Sequence, residues 1–399
     1  MRRLVNKLVI MVGFAGLTIS PLNGNAQSSA GAILRQTACD LEQHTAVRGE
    51  ESCNDFAPSN GFPMLASASA QPFFGDDQPT VPAMKLATGY KLTKKFAVPG
   101  EGGWDYIAVD GDARRVYVSH GDQIQVLNAD SGKLLGQIPA PGAHGVALAP
   151  ELHRGFTSNG KDKSVTIFDS GTLAVIKTVK LEGGTDAIVY DPATKRVFPM
   201  SEKITVIDAQ TGDVAGTVDL GGNPEAGAAD GKGTLYVNLA DKMAVAVVDP
   251  KALAVTKTYP IEHCTSPHSL SYDGKNERLF VGCREGFVAL DATTGKGVAA
   301  SLMCTGVDAS AFDPESQLVF ESCAEGVISV IRQMTPDNYR IIETIPTKLW
   351  AKTMAFDPKT KNIYLPTAEF EFIPAADPKK PPERRWKAGS FQVLVVSRH

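Results

Sequence analysis

The sequence predicts an all-β fold: a seven-bladed β-propeller with four-stranded blades, occupying residues 89–399. Two observations predict it. A unit of short strands and polar turns recurs about every 40 residues, which is the spacing of propeller blades. An aromatic residue also recurs in the second strand of every unit. A β-sandwich is the alternative, since it too has short strands and frequent turns, but it needs no seven self-similar units.

Each unit follows the same order of strands and turns. The first strand, such as 106–110, usually ends in an acidic residue and is followed by a polar turn. The second strand carries the aromatic residue, and the third, such as 204–208, leads through an Asp-x-x-(Thr/Ser)-Gly-like turn to the fourth. The first strands end at Asp110, Ala149, Asp191, Asp230, Asp273, Asp313 and Asp357, and the aromatic column is Tyr117, Phe156, Phe198, Tyr236, Phe280, Phe320 and Tyr364.

The two ends of the repeat region predict how the ring of blades closes. The seventh unit ends with a strand at 391–396 and lacks a fourth strand. Residues 91–98, which precede the first unit, have the pattern of a strand and can supply it. Such an exchange would join the first and last blades and would remove an open sheet edge.

Several second strands resemble the Tyr-Val-Thr-Asn repeat of the YVTN, or YncE-like, propeller family. The nearest matches are Tyr117-Val118-Ser119-His120 and Tyr236-Val237-Asn238-Leu239, and looser ones are Phe156-Thr157-Ser158-Asn159 and Phe280-Val281-Gly282-Cys283. The stretch 101–106, Glu-Gly-Gly-Trp-Asp-Tyr, is also similar to members of that family. The resemblance covers about residues 89–399 and implies the fold; it does not imply one activity, because such propellers include binding proteins and several enzymes.

The N-terminus predicts export. Residues 1–26 resemble a signal peptide, with Arg2, Arg3 and Lys7 before an apolar run at 8–19 and small residues at Gly24 and Ala26. A membrane anchor is the alternative, but the run is shorter than the roughly 20 residues that span a bilayer. Residues 27–88, rich in Ser, Ala and Pro, are expected to be a flexible leader. The mature protein is therefore expected in the periplasm or secreted, with no membrane span after cleavage.

The six cysteines are expected to form disulfides, because an exported protein meets an oxidising environment. Cys264 and Cys283 have the same spacing as Cys304 and Cys323, at matching positions of neighbouring units. This predicts the pairs Cys264–Cys283 and Cys304–Cys323 and leaves Cys39–Cys53 as the third. Pairing across blades, or a site where four thiolates bind a metal, is the alternative.

Composition and motifs exclude several classes of function. The net charge of −4 lacks the strong basic excess of proteins that bind duplex nucleic acid. The sequence contains no P-loop, no dinucleotide-binding glycine fingerprint and no His-Glu-x-x-His motif. No Gly-x-Ser-x-Gly nucleophile elbow stands out either.

One column of residues predicts a site at the propeller axis. Five positions before the end of each first strand, all seven units carry an ionisable residue: Asp105, His144, Asp186, Glu225, His268, Asp308 and Lys352. The innermost strands of a propeller begin near its axis, so these groups should converge on one face and form a candidate site. A polar rim around a water-filled channel is the alternative.

Other residues are expected on the same face. Trp104 and Tyr106 flank Asp105 and offer apolar surface to a ligand, and the second strands end there with His120, Asn159, Ser201 and Thr367. A charged insertion between Phe370 and Phe391, containing Lys379, Lys380, Arg384, Arg385 and Trp386, would lie there as a lid. The alternative is a disordered surface loop.

The predicted function is binding at this axial ring. The expected ligand is a small polar or anionic molecule, or a divalent cation held by histidine and carboxylates, and a protein partner at this face is also consistent with the pattern. The alternative is a lactonase-like hydrolase or a lyase, in which His144 or His268 acts as the general base. That alternative comes from analogy with other propellers.

Overall fold

The computed structural model describes residues 88–374 and 382–398, and these form seven four-stranded antiparallel sheets, as predicted. Residues 1–87 lie outside the described part of the chain, and so do the signal peptide, almost all of the leader and the pair Cys39–Cys53. Among the described residues, no helix is long and apolar enough to cross a membrane.

The first strand of the described chain, β1 (Tyr90–Ala97), is the outermost strand of the last blade. Blades 1 to 3 follow in chain order, each running from the innermost to the outermost strand. They are β2 (Ile107–Asp110), β3 (Arg115–His120), β4 (Gln123–Asn128) and β5 (Leu134–Pro139); β6 (Ala143–Ala149), β7 (Arg154–Asn159), β8 (Ser164–Asp169) and β9 (Val175–Lys180); and β10 (Ile188–Asp191), β11 (Arg196–Pro199), β12 (Lys203–Asp208) and β13 (Val214–Asp219).

Blades 4 to 6 have the same arrangement. They are β14 (Pro224–Ala229), β15 (Leu235–Leu239), β16 (Ala244–Asp249) and β17 (Ala254–Pro260); β18 (Pro267–Asp273), β19 (Arg278–Cys283), β20 (Gly286–Asp291) and β21 (Gly297–Leu302); and β22 (Val307–Asp313), β23 (Leu318–Cys323), β24 (Val327–Thr335) and β25 (Asn338–Pro346). Short 3-10 turns occur at Pro150–Leu152 and Ala240–Lys242.

The seventh blade closes the ring with both ends of the propeller. Its order is β26 (Ala355–Phe356), β27 (Ile363–Thr367), β30 (Gln392–Arg398) and β1, so the strand before blade 1 pairs with the last strand of the chain. Tyr90 lies opposite Arg398 and Ala97 opposite Gln392. The predicted closure is confirmed. A separate hairpin, β28 (Phe370–Ile373) and β29 (Glu383–Trp386), connects the second and third strands of this blade.

The acidic residue that ends most innermost strands builds the turn that follows it. The carboxylate of Asp110 accepts hydrogen bonds from the backbone N–H groups of Asp112 and Ala113, at 3.0 and 2.8 Å. Asp273 and Asp357 bond the backbone of their turns in the same way. These are Asx turns, in which a short carboxylate replaces a backbone acceptor, so the acidic column has a structural origin.

The aromatic column packs between the blades. Six of its seven members are fully buried, and Tyr236 is nearly so. Tyr117 of blade 1 contacts Phe168 of blade 2, and Phe320 of blade 6 contacts Tyr90 of the closing strand β1. Because each blade buries its faces against its neighbours, the core runs round the ring and holds the starts of the innermost strands in place.

Two of the three predicted disulfides are confirmed. Cys264 is bonded to Cys283 and Cys304 to Cys323, with Cα–Cα distances of 5.3 and 6.1 Å. Each joins the segment before an innermost strand to the end of the neighbouring second strand. Such bonds fit a protein that folds outside the cytoplasm.

Candidate functional site

The structure brings the predicted ionisable column together. Each member lies at or just before the start of an innermost strand, and direct contacts link members of neighbouring blades. Asp105 and Asp186 both contact His144, Glu225 contacts His268, and Asp308 contacts Lys352. We call the seven residues the axial ring.

Local breaks in strand pairing aim several ring side chains. The register between the first and second strands shifts between Ala143 and Val146, and again between Pro267 and Ser269. Equivalent shifts flank Glu225 and Asp308. An extra residue in one strand is a β-bulge, which redirects a side chain and ends regular pairing. These bulges place the ring residues where the sheets begin.

Hydroxyl groups of the second strands hold the ring backbone. Ser119 Oγ accepts the N–H of Asp105 at 2.8 Å, and Ser158 Oγ accepts the N–H of Gly145 at 2.7 Å. Ser158 Oγ also donates to the carbonyl of Asp186 in the next blade. Sequence reasoning missed these serines, although Ser119, Ser158 and Ser322 all stand two residues after the aromatic column.

One half of the ring is a histidine between two carboxylates. His144 Nδ1 lies 2.8 Å from Asp105 Oδ2 and 3.2 Å from Asp186 Oδ1, so three blades contribute to one contact. Ligand atoms of these three residues all lie within 4.8 Å of one another. The side chain of His144 is 38% exposed, so part of it is accessible from outside the protein.

The charges of these three groups depend on one another. Hydrogen bonds to Asp105 and then Asp186 raise the pKa of His144 to about 10. Burial, followed by repulsion from Asp186, raises the pKa of Asp105 to about 7. Burial alone would raise the pKa of Asp186, but the hydrogen bond and charge of His144 outweigh it and lower that pKa. At neutral pH, His144 therefore carries a proton between the two carboxyl groups.

The opposite histidine has a different set of partners. His268 Nδ1 lies 3.1 Å from Glu225 Oε2, and His268 Nε2 lies 3.2 Å from Ser266 Oγ. Its side chain is 14% exposed. Sequence reasoning found His268 and Glu225 but missed Ser266, which stands two residues before the ring column.

The remaining ring members form an ion pair, and a tyrosine lies beside them. Lys352 Nζ lies 2.7 Å from Asp308 Oδ2. Burial alone would lower the pKa of Lys352, but the charges of Asp308 and Asp105 raise it instead. Tyr106 packs against the core of blades 3 and 4, and burial together with the charge of Asp186 raises its pKa well above the ordinary value. Tyr106 thus reaches from blade 1 to the core of blades 3 and 4.

Two other predicted ligand residues have packing roles. His120 is 1% exposed, its Nδ1 pairs with Gln125 at 3.0 Å, and its ring lies 4.1 Å from that of Phe391. This position does not offer His120 to a ligand in the channel. Trp104 is half-buried against Phe391, at 5.3 Å between ring centroids.

The hairpin of blade 7 lies beside the ring. Trp386 and Phe370 from its two strands contact Trp104 at 5.9 and 6.0 Å, one residue before Asp105 in the chain. Arg384 stacks over Trp350 at 3.5 Å, two residues before Lys352. The insertion is therefore on the predicted face, and its described part is a packed hairpin. Lys379 and Lys380 lie outside the described residues.

A buried carboxyl group beneath the ring was also missed. Glu321 of β23 is fully buried and accepts hydrogen bonds from Ser269 Oγ at 2.7 Å and Ser310 Oγ at 2.8 Å. Burial raises its pKa to about 8. Gly282 leaves room for it, since a Cβ there would lie 2.7 Å from Glu321 Oε2. The sequence feature that could have revealed this buried carboxyl group is an acidic residue in a mostly apolar second strand.

Comparisons with known proteins agree with the fold. The chain is 22% identical over 232 residues to the uncharacterized protein YncE of Salmonella typhi, a match that spans 55% of this chain and 65% of that protein. No protein-family model matches. Similar solved structures are Kuenenia stuttgartiensis hydrazine synthase (TM-score 0.58, 15% identity, 67% of this chain and 93% of that one) and the WD40 repeats of RRP9 (TM-score 0.63, 11% identity, 78% and 98%). At these identities the structural likeness establishes the fold alone.

Proposed function

We propose that this YncE-like β-propeller is a binding protein whose axial ring takes a small cationic ligand, for which a divalent metal ion is the simplest case. The observation that carries the proposal is the contact of His144 with Asp105 and Asp186. Three neighbouring blades each supply one ligand atom, all within 4.8 Å of one another. The ligand atoms are thus arranged before any ion arrives, which reduces the ordering cost of binding.

The charges of the ring favour a cation over an anion. Four carboxyl groups face one lysine and two histidines, and the lysine is already paired with Asp308. The cationic groups near Asp105 and Asp186 are protonated His144 and Lys352, and each is already paired with a carboxylate of the ring. A metal ion would instead replace the proton that His144 holds between the two carboxylates. Of the ligands predicted from the sequence, a small polar or anionic molecule or a divalent cation, the cation therefore fits the charges of the ring better.

The donor set suits a transition-metal ion. One imidazole nitrogen and two carboxylate oxygens bind Zn²⁺, Mn²⁺ or Ni²⁺ more readily than Ca²⁺, which prefers oxygen ligands only. Three protein ligands also leave coordination positions open for water or a small molecule. The second-strand serines that hold the backbone of Asp105 and Asp186 would fix the geometry.

Calorimetric titration of metal-stripped protein with Zn²⁺ and Mn²⁺ tests this function. We expect one ion to bind per chain, and D186N to weaken binding by about 100-fold because it removes a charged ligand without changing the side-chain shape. The matched control is D213N, which removes an exposed carboxylate of the Lys177 ion pair on the opposite face. Equal affinities for D186N and D213N would refute the assignment.

The same contacts argue against His144 as the general base of a hydrolase. Its raised pKa keeps the imidazole protonated at neutral pH, whereas a base needs a free nitrogen lone pair. The hydrolase alternative therefore depends on His268, whose partners differ.

A further inference from the structure

We propose that Ser266, His268 and Glu225 form a second, hydrolytic site on the axial face, which cleaves small carboxylic esters. Ser266 is the nucleophile, His268 the general base, and Glu225 the residue that positions His268. The proposal does not rest on cation binding, because its three residues are separate from Asp105, His144 and Asp186.

The distances are those expected when a nucleophile contacts a base and the base contacts an orienting carboxylate. Ser266 Oγ lies 3.2 Å from His268 Nε2, and His268 Nδ1 lies 3.1 Å from Glu225 Oε2. With Nδ1–H donating to Glu225, the lone pair of Nε2 faces the serine hydroxyl, which is the tautomer a base requires. The three groups come from the starts of blades 4 and 5 and are all partly exposed, so a substrate can reach them.

The backbone places the Ser266 hydroxyl at a left-handed turn before the innermost strand of blade 5. Its φ is +50°, a left-handed conformation that costs roughly 1–2 kcal/mol for a residue with a side chain. The following residue is Pro267, which further disfavours helical conformations at Ser266. The equivalent positions of blades 2, 6 and 7 are Gly142, Gly306 and Trp350, with φ of +63°, +70° and +66°. The left-handed turn is therefore shared by several blades, and blade 5 is the one that carries a hydroxyl at this position.

Neighbouring bonds hold the serine in place. Cys264, two residues earlier, is bonded to Cys283, and Pro267 pairs with Cys283 in the sheet. The carbonyl of Thr265 accepts the N–H of Arg284 at 3.0 Å. The segment before His268 is therefore anchored on both sides of Ser266, which keeps Oγ near Nε2.

The reaction proceeds in two steps that need only water as co-reactant. Ser266 Oγ attacks the ester carbonyl carbon while its proton passes to His268 Nε2. The C–O bond to the alcohol then breaks, and the departing oxygen takes that proton. In the second step His268 removes a proton from water, the hydroxide attacks the acyl carbon, and the bond to Ser266 Oγ breaks as His268 returns that proton to Oγ, which releases the acid and restores both residues.

The surroundings limit the substrate. Glu225 contacts His268 directly, so an ester with its own negative charge would be repelled by this carboxylate. We expect small neutral or cationic esters to be preferred over anionic ones of the same size.

The test uses the full mature chain and an alkyl fluorophosphonate, which forms a P–O bond to an activated serine and releases fluoride. Peptide mass spectrometry locates the label, and p-nitrophenyl acetate measures turnover. We expect labelling at Ser266 in the wild type, none in S266G, and labelling about 100-fold slower in H268A because the base is lost. E225Q should slow labelling of Ser266 because it removes the carboxylate that orients His268, while its melting temperature should stay that of the wild type; a purely structural role of Glu225 would lower the melting temperature as well.

The controls separate chemistry from folding. S266G suits the left-handed backbone, so its thermal stability should equal or exceed that of the wild type. S131A removes an exposed hydroxyl on the opposite face and should leave labelling at Ser266 unchanged. Undiminished turnover in S266G, or equal labelling of Ser266 in H268A, overturns the proposal. Chelators should have no effect, so the result is independent of metal binding.

Discussion

The two histidines of the axial ring occupy the same position in blades 2 and 5, yet their surroundings give them different chemistry. His144 contacts two carboxylates through one nitrogen, Nδ1. His268 contacts one carboxylate through Nδ1 and a serine hydroxyl through Nε2. The first arrangement stabilises positive charge, whether a proton or a metal ion; the second leaves a nitrogen that can accept a proton.

The difference arises from the neighbouring blades. Blades 1 and 3 both present aspartate toward His144, whereas blade 4 presents Glu225 toward His268 and blade 6 presents Asp308 toward Lys352 instead. In a repeat fold one column therefore provides several local sites, and the identity of two neighbours decides what each can do. Similarity between repeats therefore predicts where a side chain lies in its blade but does not predict what reaction or ligand it serves.

The largest expected effect comes from removing the strand that fixes both halves of the ring. Truncation after Gly389 deletes β30, whose residues Val393, Leu394 and Val396 are fully buried. Loss of single buried aliphatic side chains costs about 2–5 kcal/mol each, so the loss of these three is comparable to the 5–15 kcal/mol that stabilises a typical domain. The pairing of β30 with β1 and β27 is lost in addition. Circular dichroism should show an unfolded chain.

Deletion of His399 alone is the control for that truncation and should leave the melting temperature within a few degrees. A folded truncated chain with an unchanged melting temperature would mean that ring closure does not stabilise the propeller.

Replacing each histidine in turn tests whether the two halves of the ring have separate functions. H144A should weaken Zn²⁺ binding by about 100-fold and leave fluorophosphonate labelling of Ser266 unchanged, while H268A should do the reverse. Calorimetry and mass spectrometry on the same preparations give both readouts. If both variants lose both properties, the halves of the ring are one site and the division between them is wrong.

Glu321 gives a smaller effect that depends on pH. Its pKa rises from the ordinary 4.5 to about 8 in the folded protein because it is fully buried. The stability that it contributes is complete below about pH 4.5 and is lost as the pH rises through 8, with a slope of up to about 1.4 kcal/mol per pH unit. E321Q cannot ionise and should lack this decline.

Denaturant unfolding of the wild type and E321Q at pH 5, 7 and 9 measures that difference. The gap should widen with pH in favour of E321Q, and parallel curves would show that Glu321 does not titrate in this range. S271A is a useful companion variant, because Ser271 bonds Ser310 at 2.7 Å without contacting the carboxyl group.

The fold was predictable because it repeats. Seven aromatic residues and seven strand ends at similar intervals specify the blades, and equal cysteine spacings specify the disulfides of blades 5 and 6. The ring column was found for the same reason. Ser266 and Glu321 were not found, because each departs from the repeat: Ser266 replaces glycine, and Glu321 replaces an apolar residue. His120 was misleading, since its side chain turns toward Gln125 and Phe391 and the sequence does not reveal that direction.

Anomalous diffraction from crystals grown with Zn²⁺ is the decisive measurement for the cation site, because it locates the ion without assuming its ligands. We expect one strong peak on the axial face, about 2.0–2.2 Å from His144 and from carboxylate oxygens of Asp105 and Asp186. The D186N variant should lose that peak. A peak elsewhere, or an empty ring at saturating Zn²⁺, would contradict the assignment of the axial ring as a cation-binding site.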